Sequence, residues 1–307
     1  MVQLLALRHQ SKGYFQCGCM TKLGKNDGSF SSIKPPFMLR LGKNREIHFK
    51  ISKSNNLPPS RSLCFHIQGR CAEKTAADMK ITREDQDEYA KMSYERSQAA
   101  AKQGVFAKEI TPVRVPDKRA PNGFVEVTED EEYKRVDFAR FPKLKPAFLD
   151  VADGGTITAA NASGINDAAA ATILCSASFA AKDRSLTPLA RIVAYADAAR
   201  DTIDFAIAPH LAVEKLLRLS GISKDKVAMW EINEAFAVVA LANIRLLELP
   251  IEKVNIHGGA VSCGHPLGMS GARITNHLAL NLKPGQYGVA AICNGGGGAS
   301  AIMLEGL

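Results

Sequence analysis

His265 and Cys293 stand in two runs of small residues near the C-terminus, and their types and surroundings suit acyl chemistry. The first run is His257-Gly258-Gly259-Ala260-Val261-Ser262-Cys263-Gly264-His265-Pro266-Leu267-Gly268-Met269-Ser270-Gly271-Ala272-Arg273, preceded by Val254-Asn255-Ile256. The second is Val289-Ala290-Ala291-Ile292-Cys293-Asn294-Gly295-Gly296-Gly297-Gly298-Ala299-Ser300. In each, a short β-branched stretch stops at glycines and delivers a polar or nucleophilic side chain. Ligands are handled at the carboxyl ends of strands in an open parallel sheet, which predicts one crevice shared by His265 and Cys293. Glycines after Cys293 leave backbone N–H groups uncovered, so a carbonyl oxygen can approach and be stabilised as it gains negative charge. A cysteine there serves as nucleophile or base once its thiol, with a free pKa of about 8.5, is eased toward ionisation by an imidazole or by backbone dipoles. Two plainer readings stand beside this one. A tight turn over residues 295–298 next to a small buried cysteine is the commoner fate of a lone cysteine. A phosphate-cradling loop fits less well, because no Lys-Ser/Thr follows the glycines.

The elements that must position these residues follow from the pattern. From Pro188 the chain reads β, α, β, α, β, α, β, β. Leu189 to Tyr195 predicts a strand; Pro209 opens a helix with Ala212, Leu216 and Leu219 in a stripe, and Gly221 closes it. Val227 to Ile232 is the next strand and delivers Asn233 at its end, and Asn233 to Leu247, apolar nearly all round, reads as an internal helix. Ile274, Leu278 and Leu282 stripe the helix after His265. Asn233, His265 and Cys293 therefore belong to three successive strand ends. Earlier, Thr82 with Asp85 predicts a capped helix start and Gly104 its left-handed stop, with Ala90, Tyr94, Ser97 and Ala101 on one face. Pro112 to Pro146 is an irregular, mixed-charge excursion. Gly155 to Ala160 predicts a strand, and strand, polar turn, run of Ala or Gly, strand recurs faintly at Gly288 to Leu304.

A chain of 307 residues, 46% apolar and 23% charged, is long enough for one large or two ordinary cores. Its formal charge of +8 is unevenly spread: residues 1–70 carry 12 Lys/Arg against 2 Asp/Glu, leaving 27 basic and 29 acidic residues beyond. The larger part is thus near neutral, and no basic face with interleaved aromatics argues for nucleic acid. No apolar run approaches the ~20 residues of a membrane span. The seven cysteines lack paired zinc spacing and suit reduced thiols. Residues 1–69 show no sustained periodicity and are basic and poor in acids. They read as an unmatched, unstructured leader with a transit peptide's composition, or as a sequence foreign to the rest.

The two glycine-rich runs, with Asn233-Glu234-Ala235-Phe236, resemble the three C-terminal motifs of the thiolases, in the family's order and at its intervals. Glu131-Glu132-Tyr133-Lys134-Arg135-Val136-Asp137-Phe138 sharpens the resemblance to the short-chain biosynthetic branch, the acetyl-CoA acetyltransferases, and to their mitochondrial, potassium-responsive kind. The likeness runs from about Cys71 to the end. It implies a layered α/β/α/β/α fold built of two similar halves, with most of the N-terminal half lacking a counterpart here. It divides the chain into the leader 1–69, a loop or cap region 70–155, a remnant of the N-terminal half 156–187 and the C-terminal domain 188–307.

The resemblance also implies roles. Two acetyl-CoA condense to acetoacetyl-CoA and CoA, and the reverse is thiolysis. By position Cys293 is the acid/base for the α-proton, His265 activates the nucleophile and donates to an oxyanion, Asn233 orients a water in that oxyanion hole, and the Gly295 N–H serves a second one. Tyr94, Arg135, Val136, Asp137, Arg140 and Ser163 fall on coenzyme A contacts; Arg140 stands where the family has Lys. The carbonyls of Ala159, Ala160, Ala162 and Val261 fall on potassium ligands. Asp167-Ala168 replaces the family's Asp-Gly. No Cys-Ala/Ser-Ser-Gly-like elbow surrounds Cys17, Cys19, Cys64 or Cys71, so the acyl-carrying cysteine has no counterpart, and no thiolase turnover is expected of the chain alone. No covalently bound cofactor, nucleic acid or membrane partner is implied; a homodimer or tetramer is, in the mitochondrion or else the cytoplasm. The alternatives are an inactive fragment that binds CoA or modulates assembly, and a longer-chain 3-ketoacyl-CoA thiolase.

Overall fold

The computed structural model describes residues 3–7, 39–41, 47–49 and 60–307 except 184, with backbone alone up to residue 67. The strands are β1 (Gln3–Leu7), β2 (Leu39–Leu41), β3 (Ile47–Phe49), β4 (Val113–Pro116), β5 (Phe124–Val127), β6 (Thr172–Ser176), β7 (Ala190–Ala199), β8 (Val227–Ile232), β9 (Tyr287–Cys293) and β10 (Gly298–Gly306). The helices are α1 (Ser60–Asp78), α2 (Arg83–Lys102), α3 (Ala177–Lys182), α4 (Ala208–Ser220), α5 (Ala237–Leu247), α6 (Ala260–Cys263) and α7 (Ser270–Asn281). Six strands form one mixed sheet in the order β6-β1-β7-β10-β9-β8. β8 and β9 run parallel, while β10 is antiparallel to β7 and β9. The expectation for residues 1–69 lies outside the described residues apart from the three short strands and the start of α1, which crosses the 69/70 boundary.

Alternation along the strands makes the layers. Val289 and Ala291 of β9, with Trp230 and Ile232 of β8 and Ala301 and Met303 of β10, pack against Ala212, Val213 and Leu216 of α4 and Ala237, Ala240 and Ile244 of α5. Ala290, Met229, Ile302 and Leu304 point the other way, onto Ile274, Leu278 and Leu282. The sheet is therefore sandwiched between α4/α5 and α7; α4 buries Ala212 and Leu216 of its predicted stripe together with Val213, while Leu219, in its last turn, is exposed. α2 starts on a full capping box, the Thr82 side chain accepting from Asp85 N and the Asp85 side chain from Thr82 N, and Gly104 follows its end at φ +73°. Gly221 closes α4 in the left-handed region.

Two predicted strands are not strands. The stretch Gly155 to Ala160 has no ladder, because a buried glutamate replaces one: Glu73 of α1 accepts from the backbone N–H groups of Thr156 (3.0 Å) and Ile157 (2.9 Å) and from the Thr156 hydroxyl (2.6 Å). Val254 to Ile256 makes only isolated bridges, Val254 to Trp230 and Ile256 to Gly258. His265 consequently leaves the short α6 through Gly264 (φ +87°) rather than a strand end. The excursion at Pro112 to Pro146 holds the β4/β5 hairpin and three-residue and six-residue 3-10 turns. Among the described residues no helix is long and apolar enough to cross a membrane.

Candidate active site

Asn233 is the hinge of the site. It leaves the carboxyl end of β8 with its backbone N–H on the Ala291 carbonyl (2.9 Å), two residues before Cys293 on the neighbouring strand. Its side-chain Nδ2 faces His265 Nε2 at 3.4 Å. The other ring nitrogen, His265 Nδ1, lies 2.6 Å from Ser270 Oγ, and Ser270 Oγ donates to the Pro266 carbonyl. With Asn233 Nδ2 donating, the ring carries its proton on Nδ1, and Nε2 presents a lone pair. His265 is buried, and burial alone holds the imidazole down at about 4, so it is neutral near pH 7. Its backbone N–H is fixed on the Gly164 carbonyl at 2.7 Å.

Cys293 ends β9 half-buried, packed against the cluster that contains Cys71, Phe148 and Phe236. Burial pushes its thiol up to about 12. Such a thiol keeps its proton in the free protein, and its thiolate, once formed, is a strong base. The glycine turn follows. Gly296 and Gly298 N–H donate to Asn294 Oδ1 (3.0 and 3.3 Å), and Gly297 N–H to the Asn294 carbonyl (3.1 Å). Among the described residues the turn thus consumes three of its four glycine N–H groups and leaves that of Gly295 for a ligand oxygen.

Glu234, quoted in its motif without a role, organises the floor. Its buried carboxylate accepts from Tyr89 Oη (2.9 Å), Ser93 Oγ (2.8 Å), Asn255 Nδ2 (2.8 Å) and Val261 N (3.0 Å). A Cβ on Gly259 would lie 2.4 Å from that carboxyl carbon, so the glycine is what admits it. Ser270, five residues past His265, is the other participant the motif contained unremarked. The Cys263 thiol is buried, pushed up to about 11, and 3.2 Å from Ser97 Oγ.

The remaining predicted residues fall into three places. Tyr94, Ala160 and Val261 share one buried cluster with Phe106, Tyr133 and Phe141, and Val136 packs on it. Tyr94 lies edge-on to Phe138 and Phe141 at 6.3 and 6.2 Å. Ser163 donates to the Ala235 carbonyl at 2.8 Å, and Ala162 bridges to Phe236, which ties this loop to the asparagine motif. Ala159, Arg135, Asp137 and Arg140 are exposed; Arg135 pairs with Glu131, and Asp137 caps its turn by accepting from Ala139 N (3.0 Å). None of these four touches His265, Asn233 or Cys293 by a hydrogen bond among the described residues.

Comparison with known proteins gives the family and the fold. The model of the thiolase N-terminal domain matches residues 60–178, and that of the thiolase C-terminal domain matches residues 186–306. The chain belongs to the thiolase family. Mitochondrial acetyl-CoA acetyltransferase of Mus musculus is 59% identical over 239 residues, which are 78% of this chain and 55% of that protein. The Danio rerio protein of the same name is 57% identical over 241 residues, 78% of this chain and 56% of that protein. The chain therefore spans about half the length of the curated relatives it matches. Among solved structures, the Acat5 thiolase of Ascaris suum in complex with coenzyme A is similar with a TM-score of 0.71 and 43% identity, covering 89% of this chain and 69% of that one. Human mitochondrial 3-ketoacyl-CoA thiolase gives a TM-score of 0.72 at 33% identity with the same coverage. The fold is thus that of thiolases, the expected layered α/β class.

Proposed function

We propose that this site exchanges the α-proton of coenzyme A thioesters, as the acid/base part of acetyl-CoA C-acetyltransferase chemistry. The observation that carries it is the single span from the Cys293 strand through Asn233 to the lone pair of a neutral His265. In condensation the Cys293 thiolate, formed when its thiol gives its proton to a departing CoA thiolate, takes a methyl proton of acetyl-CoA. The electron pair left behind attacks a thioester carbonyl, forming the C–C bond as the C–S bond breaks and a thiolate leaves. The Gly295 N–H meets the oxygen of one thioester as charge builds on it. The oxygen of the other is served by a water that Asn233 orients, and by His265 once its proton passes from Nδ1 to Nε2. No Cys-Ala/Ser-Ser-Gly-like elbow surrounds Cys17, Cys19, Cys64 or Cys71, which supports a chain that supplies proton exchange and not the acyl-carrying thiol; the side chains of Cys17, Cys19 and Cys64 lie outside the described ones. Substrates are acetyl-CoA and acetoacetyl-CoA, and the compartment is the mitochondrion, as in the names of its relatives.

Tyr94, Val136 and Ser163, with the guanidinium groups of Arg135 and Arg140 and with Asp137, line the expected coenzyme A side, where exposed guanidinium groups suit phosphate. The carbonyls of Ala159, Ala160, Ala162 and Val261 would hold a potassium ion. Two of these residues share a cluster with Tyr94, and carbonyl oxygen is the donor a hard cation takes. The ion would fix the loop beside Ser163. An oligomer is the accompanying assembly, supported by exposed Val113, Val115, Phe124 and Val125 on the β4/β5 hairpin.

The test is deuterium uptake at the methyl group of acetyl-CoA in heavy water. Uptake above that of Cys293→Ala and His265→Ala is expected, with no net cleavage of acetoacetyl-CoA by the chain alone. Uptake equal to the Cys293→Ala background would overturn the proton-exchange role. Cleavage well above that background would overturn the restriction to it.

A further inference from the structure

Gln68 of α1 forms a wall of the Cys293 site that no motif includes. It is half-buried, and its carboxamide lies on the first glycine of the turn. A Cβ placed on Gly295 would fall 1.7 Å from Gln68 Nε2, 2.6 Å from Cδ and 3.0 Å from Cγ. The carboxamide therefore touches the Gly295 α-carbon, beside the one glycine N–H the turn leaves open.

Its neighbours fix it there. A Cβ on Gly69 would lie within 2.4 Å of three Phe148 ring atoms, so α1 presses directly on that ring. Phe148 in turn meets Phe236 edge-on at 5.7 Å, next to the asparagine motif. Arg70 Nε donates to the Phe148 carbonyl at 3.5 Å. Cys71, three residues on and so on the same helix face as Gln68, is buried in the cluster that holds Phe148 and Phe236 and receives Cys293. Gln68 is thus held at a defined position by packed rings, with its polar end toward the site.

A carboxamide offers both donors and an acceptor, and burying it under apolar atoms leaves them unpaired at a cost. A four-carbon acyl group with an oxygen at C3 pairs with it. A saturated group of equal length covers it without pairing, and a longer chain has to displace it. We propose that Gln68 is a specificity-determining residue: its carboxamide closes the acyl pocket at Gly295 and selects short acyl groups bearing a C3 oxygen over saturated and longer ones. This rests on the reading of the Cys293 site as one for coenzyme A thioesters.

Calorimetric titration of the full chain with CoA, acetoacetyl-CoA, butyryl-CoA and octanoyl-CoA, each alone, tests it. Wild type is expected to bind acetoacetyl-CoA about tenfold more tightly than butyryl-CoA, the size of one lost buried hydrogen bond. Gln68→Leu, similar in volume without the polar end, brings that ratio close to one. Gln68→Ala opens the wall and raises octanoyl-CoA affinity severalfold, and CoA itself binds all three proteins alike. An unchanged acetoacetyl to butyryl ratio in either variant, with CoA binding retained, overturns the role of Gln68 and leaves the thioester site standing. A wild-type chain that binds neither CoA nor any thioester overturns both.

Discussion

Two buried glutamates three residues apart, Glu231 and Glu234, flank Asn233 and are treated in opposite ways by the fold. Glu234 meets four donors, from Tyr89, Ser93, Asn255 and the Val261 backbone. Glu231 has an Oε1 without a hydrogen-bond partner among the described residues, 4.0 Å from His277 Nε2. It borders a cavity of about 30 Å³ lined also by Asn233, Ser270, Arg273 and His277. Burial, with the Glu109 and Glu234 charges, lifts the Glu231 carboxyl to about 8 against the pull of His277 and Arg273. Equal burial therefore yields two devices. Glu234 is a polar knot that joins α2, the β8 end and α6, while Glu231 is an acid kept neutral behind Asn233.

The largest effect should come from untying the knot. Glu234→Ala leaves four donors facing a void, and the loss expected is about 3–5 kcal/mol of unfolding free energy, read by urea denaturation. Glu234→Gln keeps the shape but turns one acceptor into a donor, at a cost of roughly 1–3 kcal/mol. Loss in either variant no larger than that of a surface substitution would mean that the four contacts are incidental.

Glu231→Gln should act in the opposite direction and only with pH. The folded carboxyl titrates near 8 and the ordinary value is 4.5, so unfolding releases a proton between them and the wild type loses stability as pH rises through that window. The amide cannot ionise. The variant should match wild type near pH 4 and exceed it above pH 8, measured as the difference in melting temperature across pH. Parallel curves would show that Glu231 is ionised in the folded protein.

The same contrast explains what the sequence reveals and what it conceals. Elements signalled by residues close in sequence were legible: the Thr82/Asp85 box, the Gly104 and Gly221 stops, the α7 stripe and the α4 stripe except Leu219, and β8 ending at Asn233. Features set by partners far along the chain were not. The strand predicted at Gly155 to Ala160 fails because Glu73, more than 80 residues earlier, takes its N–H groups. The strand predicted at Val254 to Ile256 yields because the Asn255 side chain is drawn into the Glu234 knot. Asn233, His265 and Cys293 could be named from local pattern, whereas Gln68, Ser270 and the work of Glu234 required the packed structure. A residue that acts through contact with a distant glycine, as Gln68 does with Gly295, leaves no periodic signal to read.

Histidines repeat the glutamate contrast at smaller energies. Burial lowers both His265 and His277, but the Glu109 carboxylate on His277 Nδ1 outweighs it there, and His277 ends above its ordinary value. In ring titrations followed by NMR, His265 should stay neutral down to about pH 4 and His277 should lose its proton above pH 6.5. His265 therefore adds stability that is lost as pH falls from 6.5 toward 4, and His277 stability that is lost as pH rises through its folded value. A His265 ring that titrates near 6.5 would place it in water and not behind Asn233.

The smallest change expected is in the tautomer. Ser270→Ala removes the acceptor for His265 Nδ1–H, leaving a buried donor unpaired at a cost of about 1 kcal/mol. The ring can escape that cost by moving its proton to Nε2, but Asn233 Nδ2 then faces an N–H instead of a lone pair. Nitrogen shifts of the His265 ring should accordingly pass from a pure Nδ1–H form to a mixture, while the fold and the Glu231 pH dependence stay as in wild type. If the ring keeps its proton on Nδ1 in the variant, the asparagine alone orients the histidine and the serine is only packing.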